Sequence, residues 1–141
     1  LDYDLIMRKA EEPRMKSTSS ALSHATVTTA NNLGAKCIIA PTASGATARV
    51  VSTFQPRTEN IGVPPNVEVM RRMQIYWCVR PLKSIEFTTT EDVCSGAIDL
   101  VVAKQIVETG DVVVLTAGIP SPHFSGQKEG VSNIMRIAVI Q

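Results

Sequence analysis

The stretch CIIAPTASGATARVVSTFQPR, Cys37 to Arg57, decides how the rest of the chain is read. Cys37-Ile38-Ile39-Ala40 is wholly apolar and ends at Pro41, the pattern of a short strand buried on both faces. Thr42-Ala43-Ser44-Gly45 follows, rich in residues that turn a chain. Ala46 to Phe54 then reads as a short helix, halted by Pro56. A buried strand that turns straight into a helix is one unit of an α/β fold.

Working outward, the same unit recurs. Upstream, Ser17 to Ser20 offer N-cap hydroxyls, and Leu22, Ala25, Thr29 and Leu33 follow at helical spacing with Gly34 as the stop. Leu1 to Lys16 is polar, charged and interrupted by Pro13, so residues 1–16 read as a linker or arm and 17–141 as one domain. Downstream, Asn60 to Val63 is a second strand, and Pro65 and Asn66 open a helix through Met73. Trp77 to Leu82 is a third strand, with a spur at Ser84 to Phe87. Thr89, Thr90, Glu91 and Asp92 place capping hydroxyls and acids at a helix start. That helix runs through Cys94, Ile98, Val101 and Val102 to Glu108 and is terminated by Gly110. Val112 to Thr116 is a further buried strand, Gly118 to Gly130 a long loop, and Asn133 to Ile140 the last strand. Three strand-then-helix alternations predict a three-layer, doubly wound α/β sheet of about five strands, mostly parallel. With no helix before it, the last strand returns antiparallel, at an edge.

Composition narrows the function. Of 141 residues, 44% are hydrophobic and 19% charged, and the net charge is +1. That balance excludes a disordered tail and leaves no basic surplus for nucleic acid or an anionic membrane. No apolar run approaches the ~20 residues of a membrane span. Three scattered cysteines, Cys37, Cys78 and Cys94, make neither a disulfide framework nor a zinc pattern and fit a reducing cytoplasm. The chain begins at Leu1 rather than Met, so a piece of a longer parent is expected.

Catalytic patterns are sparse. His24 and His123 have no nucleophile motif beside them, and they read as packing or surface histidines. Glu91 and Asp92 suit a helix N-terminus better than an acid–base pair. The cysteines lie in apolar runs, which makes inert thiols of them. The turn Thr42-Ala43-Ser44-Gly45-Ala46-Thr47 stands apart, because it carries three hydroxyls and a glycine where a strand opens into a helix. Backbone N–H groups and the helix dipole converge there, which suits an anion. It is neither a Walker loop nor GxGxxG. Two readings stand: a phosphate site, or a strand-to-helix turn with a Ser/Thr cap.

Beyond these physical readings, the run from Cys37 to Arg57 resembles the strand, phosphate loop and helix of the C-terminal domain of pyruvate kinase, bacterial type. VPPNVEVMRRM (Val63 to Met73), the Trp77 to Leu82 strand, GDVVVLTAGIP (Gly110 to Pro120) and GVSNIMRIAVI (Gly130 to Ile140) resemble further blocks of that domain, in order. The arm LDYDLIMRKAEEP is similar to the linker into it. The resemblance implies a regulatory, effector-binding and subunit-interface domain of a cytoplasmic glycolytic phosphotransferase. That parent moves phosphoryl from phosphoenolpyruvate to ADP with magnesium and usually potassium. Its active site lies in an upstream (β/α)₈ barrel with a small lid domain. No catalytic residue therefore falls on this chain, no cofactor is implied within it, and the chain alone is expected to be inactive.

By the same resemblance, Thr42, Ala43, Ser44, Gly45, Ala46 and Thr47 would hold an effector phosphate. Gly118, Gly126, Lys128 and Gly130 belong to the loop that would close over it. Members that bind fructose bisphosphate often carry charge at the places of Ala43 or Ala46, and here both are neutral. The tryptophan and arginine that meet the second phosphate in animal enzymes fall on Glu86 or Phe87 and on Val93. This argues for a monophosphate, a different effector, or none. The alternatives are a purely structural oligomerisation domain and a stand-alone phosphate-binding module.

The last strand bears on assembly. Met135, Ile137 and Val139 make one face continuously apolar, while Ile134, Ala138 and Ile140 share the other with Arg136. A bare edge of this kind invites a second copy about a two-fold axis, unless a loop or the N-terminal arm covers it. A dimer of this chain and a tetramer of its parent are expected.

Overall fold

Strand β1 (Cys37–Pro41) is buried along its whole length, as its apolar run requires. Side chains alternate across a strand, so Cys37 and Ile39 enter one core and Ile38 another. The structure, a computed structural model, describes residues 18–42, 45–64, 66–75, 79–82, 90–118 and 133–141. The arm 1–16, the Ser84–Phe87 spur and most of the Gly118–Gly130 loop lie outside them.

β2 (Glu59–Val63) and β4 (Val112–Ala117) flank β1, both parallel to it. β3 (Val79–Pro81) lies beyond β2 in parallel, and β5 (Ile134–Val139) lies beyond β4 antiparallel. The order is β3-β2-β1-β4-β5. Helices α1 (Thr18–Leu33), α2 (Ala46–Thr53) and α3 (Val67–Met73) pack on one face, through Val27, Val51 and Phe54 and through Val69 and Met73. Helix α4 (Thr90–Ala103) covers the other, seating Cys94, Ala97 and Val101 on Ile39, Val113 and Leu115. The three-layer, doubly wound reading holds, including the antiparallel edge strand.

Three details differ from the sequence expectation. In α1 the buried side is Ser23, Thr26, Val27 and Ala30, one step round from Leu22, Ala25, Thr29 and Leu33. Leu33 is 48% exposed. Small residues let α1 come close, and Thr26 hides its hydroxyl by donating to the Leu22 carbonyl at 2.8 Å. Second, α4 stops at Ala103 rather than Glu108. Gln105, at φ +58, takes the left-handed position there. The N–H groups of Gln105 and Ile106 close back on the Val102 and Val101 carbonyls, the pattern that Gly34 completes for α1 with Ala35 on Ala30. Gly110, at φ +92, instead shapes the turn into β4. Third, β3 (Val79–Pro81) ends at Pro81 rather than Leu82, and Trp77 and Cys78 of the expected strand lie outside the described residues. Asn66 caps α3 as read, its side chain accepting the Val69 N–H at 2.9 Å.

Candidate functional site

The sheet reverses its winding between β1 and β4. In doubly wound folds, ligands bind outside the carboxyl ends of the strands at such a switch point. β1 and β4 run parallel with Ile39 beside Leu115, so their carboxyl ends bring Thr42 and Gly118 out on the same edge. Neither residue is near the other in sequence; the topology alone brings them together.

Thr42 is tied down twice. Its N–H donates to the Val63 carbonyl at 3.2 Å, which fixes it to the end of β2. Its Oγ1 accepts the Gly45 N–H at 2.9 Å, within the buried part of the turn. A hydroxyl that accepts still has its own proton to donate. Gly45 is the N-cap of α2 at φ +89, a conformation that favours glycine. The Gly45 carbonyl then receives the Arg49 N–H at 3.0 Å, the first bond of the helix. Ala46 and Thr47 form the first turn of α2, where the helix dipole favours negative charge. Thr47 is 1% exposed, so its side chain belongs to the packed interior. Ala43, Ser44, Gly126, Lys128 and Gly130 lie outside the described residues.

Two residues that support this turn were not visible as such in the sequence. Asn60 is fully buried, and its Nδ2 donates to the Ala48 carbonyl in α2 at 3.1 Å. A lone asparagine in the strand ENIGV was the available signal. Met73, also fully buried, packs with Ala40, Ala48 and Val69. Its role has no local sequence mark.

Elsewhere the chemistry is quiet. Burial, then the negative charges of Glu59 and Asp111, push the Cys37 thiol from 9.0 up to about 12. Cys94 is likewise buried, whereas Cys78 lies outside the described residues. His24 packs edge-on against Phe54 with ring centres 5.3 Å apart. Among the described residues no three of His, Cys, Asp and Glu gather as a metal set. No helix among them is long and apolar enough to cross a membrane.

Met135, Ile137 and Val139 do come together. Opposite Thr116, Val114 and Val112, they project on the α1 side of the sheet, exposed by 36%, 50% and 58%. Ile134, Ala138 and Ile140 face the α4 core.

The strand-turn-helix unit and the sheet order have their counterpart in sequence: residues 20–138 match the family described as "Pyruvate kinase, alpha/beta domain". The chain belongs to that family. Among pyruvate kinases similar to this alpha/beta domain, that of Clostridium acetobutylicum is 32% identical over 141 residues, covering 100% of the chain and 29% of the relative. That of Staphylococcus saprophyticus is 31% identical over 139 residues, covering 99% of the chain and 23% of the relative. That of Geobacillus stearothermophilus is 31% identical over 137 residues, covering 97% and 22%. The alpha/beta domain thus spans between about a fifth and three tenths of the length of these curated relatives.

Proposed function

We propose that this alpha/beta domain serves a cytoplasmic pyruvate kinase as its regulatory, effector-binding and subunit-contact part. The parent would carry phosphoryl from phosphoenolpyruvate to ADP on a barrel elsewhere. The observation that carries the effector reading is the turn from Thr42 to Gly45 at the switch point of the sheet. A phosphate there would meet the dipole of α2 and the Thr42 hydroxyl, with Gly118, just past the end of β4, on the same edge. The described turn offers no charged side chain at Thr42, Gly45, Ala46 or Thr47. This favours a singly phosphorylated sugar or nucleotide over a bisphosphate. Calorimetric titration with ribose 5-phosphate, glucose 6-phosphate, AMP and fructose bisphosphate is the test. Heat from a monophosphate, lost in Thr42→Val, supports the reading; silence from all four leaves a structural role.

A second reading has its own observation. Beside the exposed apolar face of β5, α1 carries no charged residue from Thr18 to Leu33, although a solvated helix face ordinarily does. A charge-free helix and an apolar edge strand on one side of the sheet suit a second copy of the chain. Self-association and effector binding are compatible, because β5 and the Thr42 turn use different parts of the sheet.

A further inference from the structure

We propose that Met73 couples the position of α3 to the backbone at Gly45 and the first turn of α2. Met73 is the last residue of α3 and is fully buried. Its side chain runs past two glycines that are distant in sequence. A Cβ on Gly45 would stand 3.1 Å from Met73 Cγ and 3.6 Å from Sδ. A Cβ on Gly62 would overlap the Met73 terminal methyl. Val69, one turn earlier on the same side of α3, would lie 3.6 Å from the same Gly45 position. One face of α3 is thus seated directly on backbone at both places.

That seating has mechanical consequences. Interiors are close-packed and transmit displacement, and with glycine there is no side chain to absorb it. Gly62 is held in the sheet between Ala40 and Pro81, so it serves as the fixed side of the contact. Gly45 is the compliant side: its φ of +89 sets the direction of the N–H that Thr42 Oγ1 accepts. A shift of α3 therefore reorients Gly45 and the first turn of α2. The consequence for anion affinity rests on the effector reading above; the coupling itself does not.

The full chain, labelled with ¹⁵N, separates the two. Gly62→Ala displaces the Met73 methyl, and Met73→Leu withdraws it from Gly62. Val101→Ala, in the α4 core on the other face, is the control for general loosening. The coupling requires that both test variants move the Gly45 and Ala46 amide resonances and alter their hydrogen exchange without added anion, while Val101→Ala leaves them in place. Titration with inorganic phosphate should then differ from the parent chain by about three- to tenfold in both test variants, the scale of a partly misaligned hydrogen bond to an anion. Unmoved Gly45 and Ala46 signals, or equal movement in Val101→Ala, overturn the coupling. Moved signals with no phosphate binding to the parent chain overturn the effector reading and leave the coupling standing. If Gly62→Ala does not fold, Met73→Leu decides alone.

Discussion

Asn60, sealed inside β2, donates its Nδ2 proton to the Ala48 carbonyl of α2 at 3.1 Å. A helix that begins at a glycine and spans only eight residues, Ala46–Thr53, has little stability of its own. The asparagine fixes where it starts above the sheet. Asn60→Ala should lower unfolding free energy by about 1–2 kcal/mol through the lost bond and a small void. Asn60→Leu should cost less than that, since an apolar side chain of similar size removes the buried amide without leaving a void. Urea unfolding of the two variants measures the order; a leucine variant weaker than the alanine one contradicts it.

Loss of anion affinity should follow the hydroxyls of the turn. Thr42→Val removes the acceptor of the Gly45 N–H and a donor for phosphate. It is expected to weaken phosphate or monophosphate binding by roughly 1–3 kcal/mol. Ser44→Ala and Thr47→Ala should fall in the same range if their hydroxyls reach the ligand. With Thr47 buried, an effect from Ser44→Ala alone would place the contact in the middle of the turn. Calorimetry on the three single variants and the Ser44/Thr47 double variant gives the comparison, and unchanged affinity in all of them removes the turn from the site.

The purified chain should make no pyruvate from phosphoenolpyruvate and ADP. Phosphoryl transfer depends on metal ions and cations placed around the moving group, and the described residues gather no metal set. A coupled assay for pyruvate above the level of a mock preparation would show otherwise.

The Cys37 thiol links pH to stability with a definite sign. Its pKa rises from 9.0 to about 12 on folding, so the unfolded chain loses this proton first. The contribution is fully present below pH 9 and is lost as pH rises toward 12, at about 1.4 kcal/mol per pH unit. Urea unfolding between pH 8 and about pH 11 should fall more steeply for the native sequence than for Cys37→Ala. Parallel pH profiles for the two would remove the thiol as a cause.

Self-association should pass through β5. Ile137 is half exposed, so Ile137→Asp is tolerated by a lone copy but buries an unpaired charge between two. Sedimentation equilibrium is expected to show a dimer weakened at least about tenfold by that change. A chain that is monomeric at every concentration, or a dimer indifferent to Ile137→Asp, assigns contact to another surface.

The centre of the sheet was readable because β1 and β4 are short apolar runs closed by proline or glycine, Cys37 to Pro41 and Val112 to Gly118, and such runs have few other uses. The helix faces were harder. The buried side of α1 is built from Ser23, Thr26 and Ala30, and closeness of approach rather than side-chain hydrophobicity selects it. Gln105 ends α4 in a conformation that sequence reading reserves for glycine, so the sequence pattern places the stop five residues late, at Gly110. The turn at Thr42 was legible as a unit, from its hydroxyls and its place between strand and helix. Its supports were not, because Met73 meets Gly45 and Gly62 only after β1 and β2 are aligned and α3 is laid over them.

The placement of β4 also dictates an order of assembly. β1 pairs with β2 across a short connection, but its other neighbour is distant in the chain, with Cys37 opposite Val113. Long-range parallel pairing is slow, because loop entropy is lost before contacts form. A nascent chain can therefore zip β1, β2 and β3 early while the edge of β1 that β4 later occupies stays unpaired. Synthesis of β4 closes that edge, and β5 follows by pairing antiparallel with β4. During that interval the half-built sheet offers an open central edge to any other strand, so aggregation on the ribosome, rather than loss of the finished fold, is where mutations in Val112 to Ala117 would first be felt.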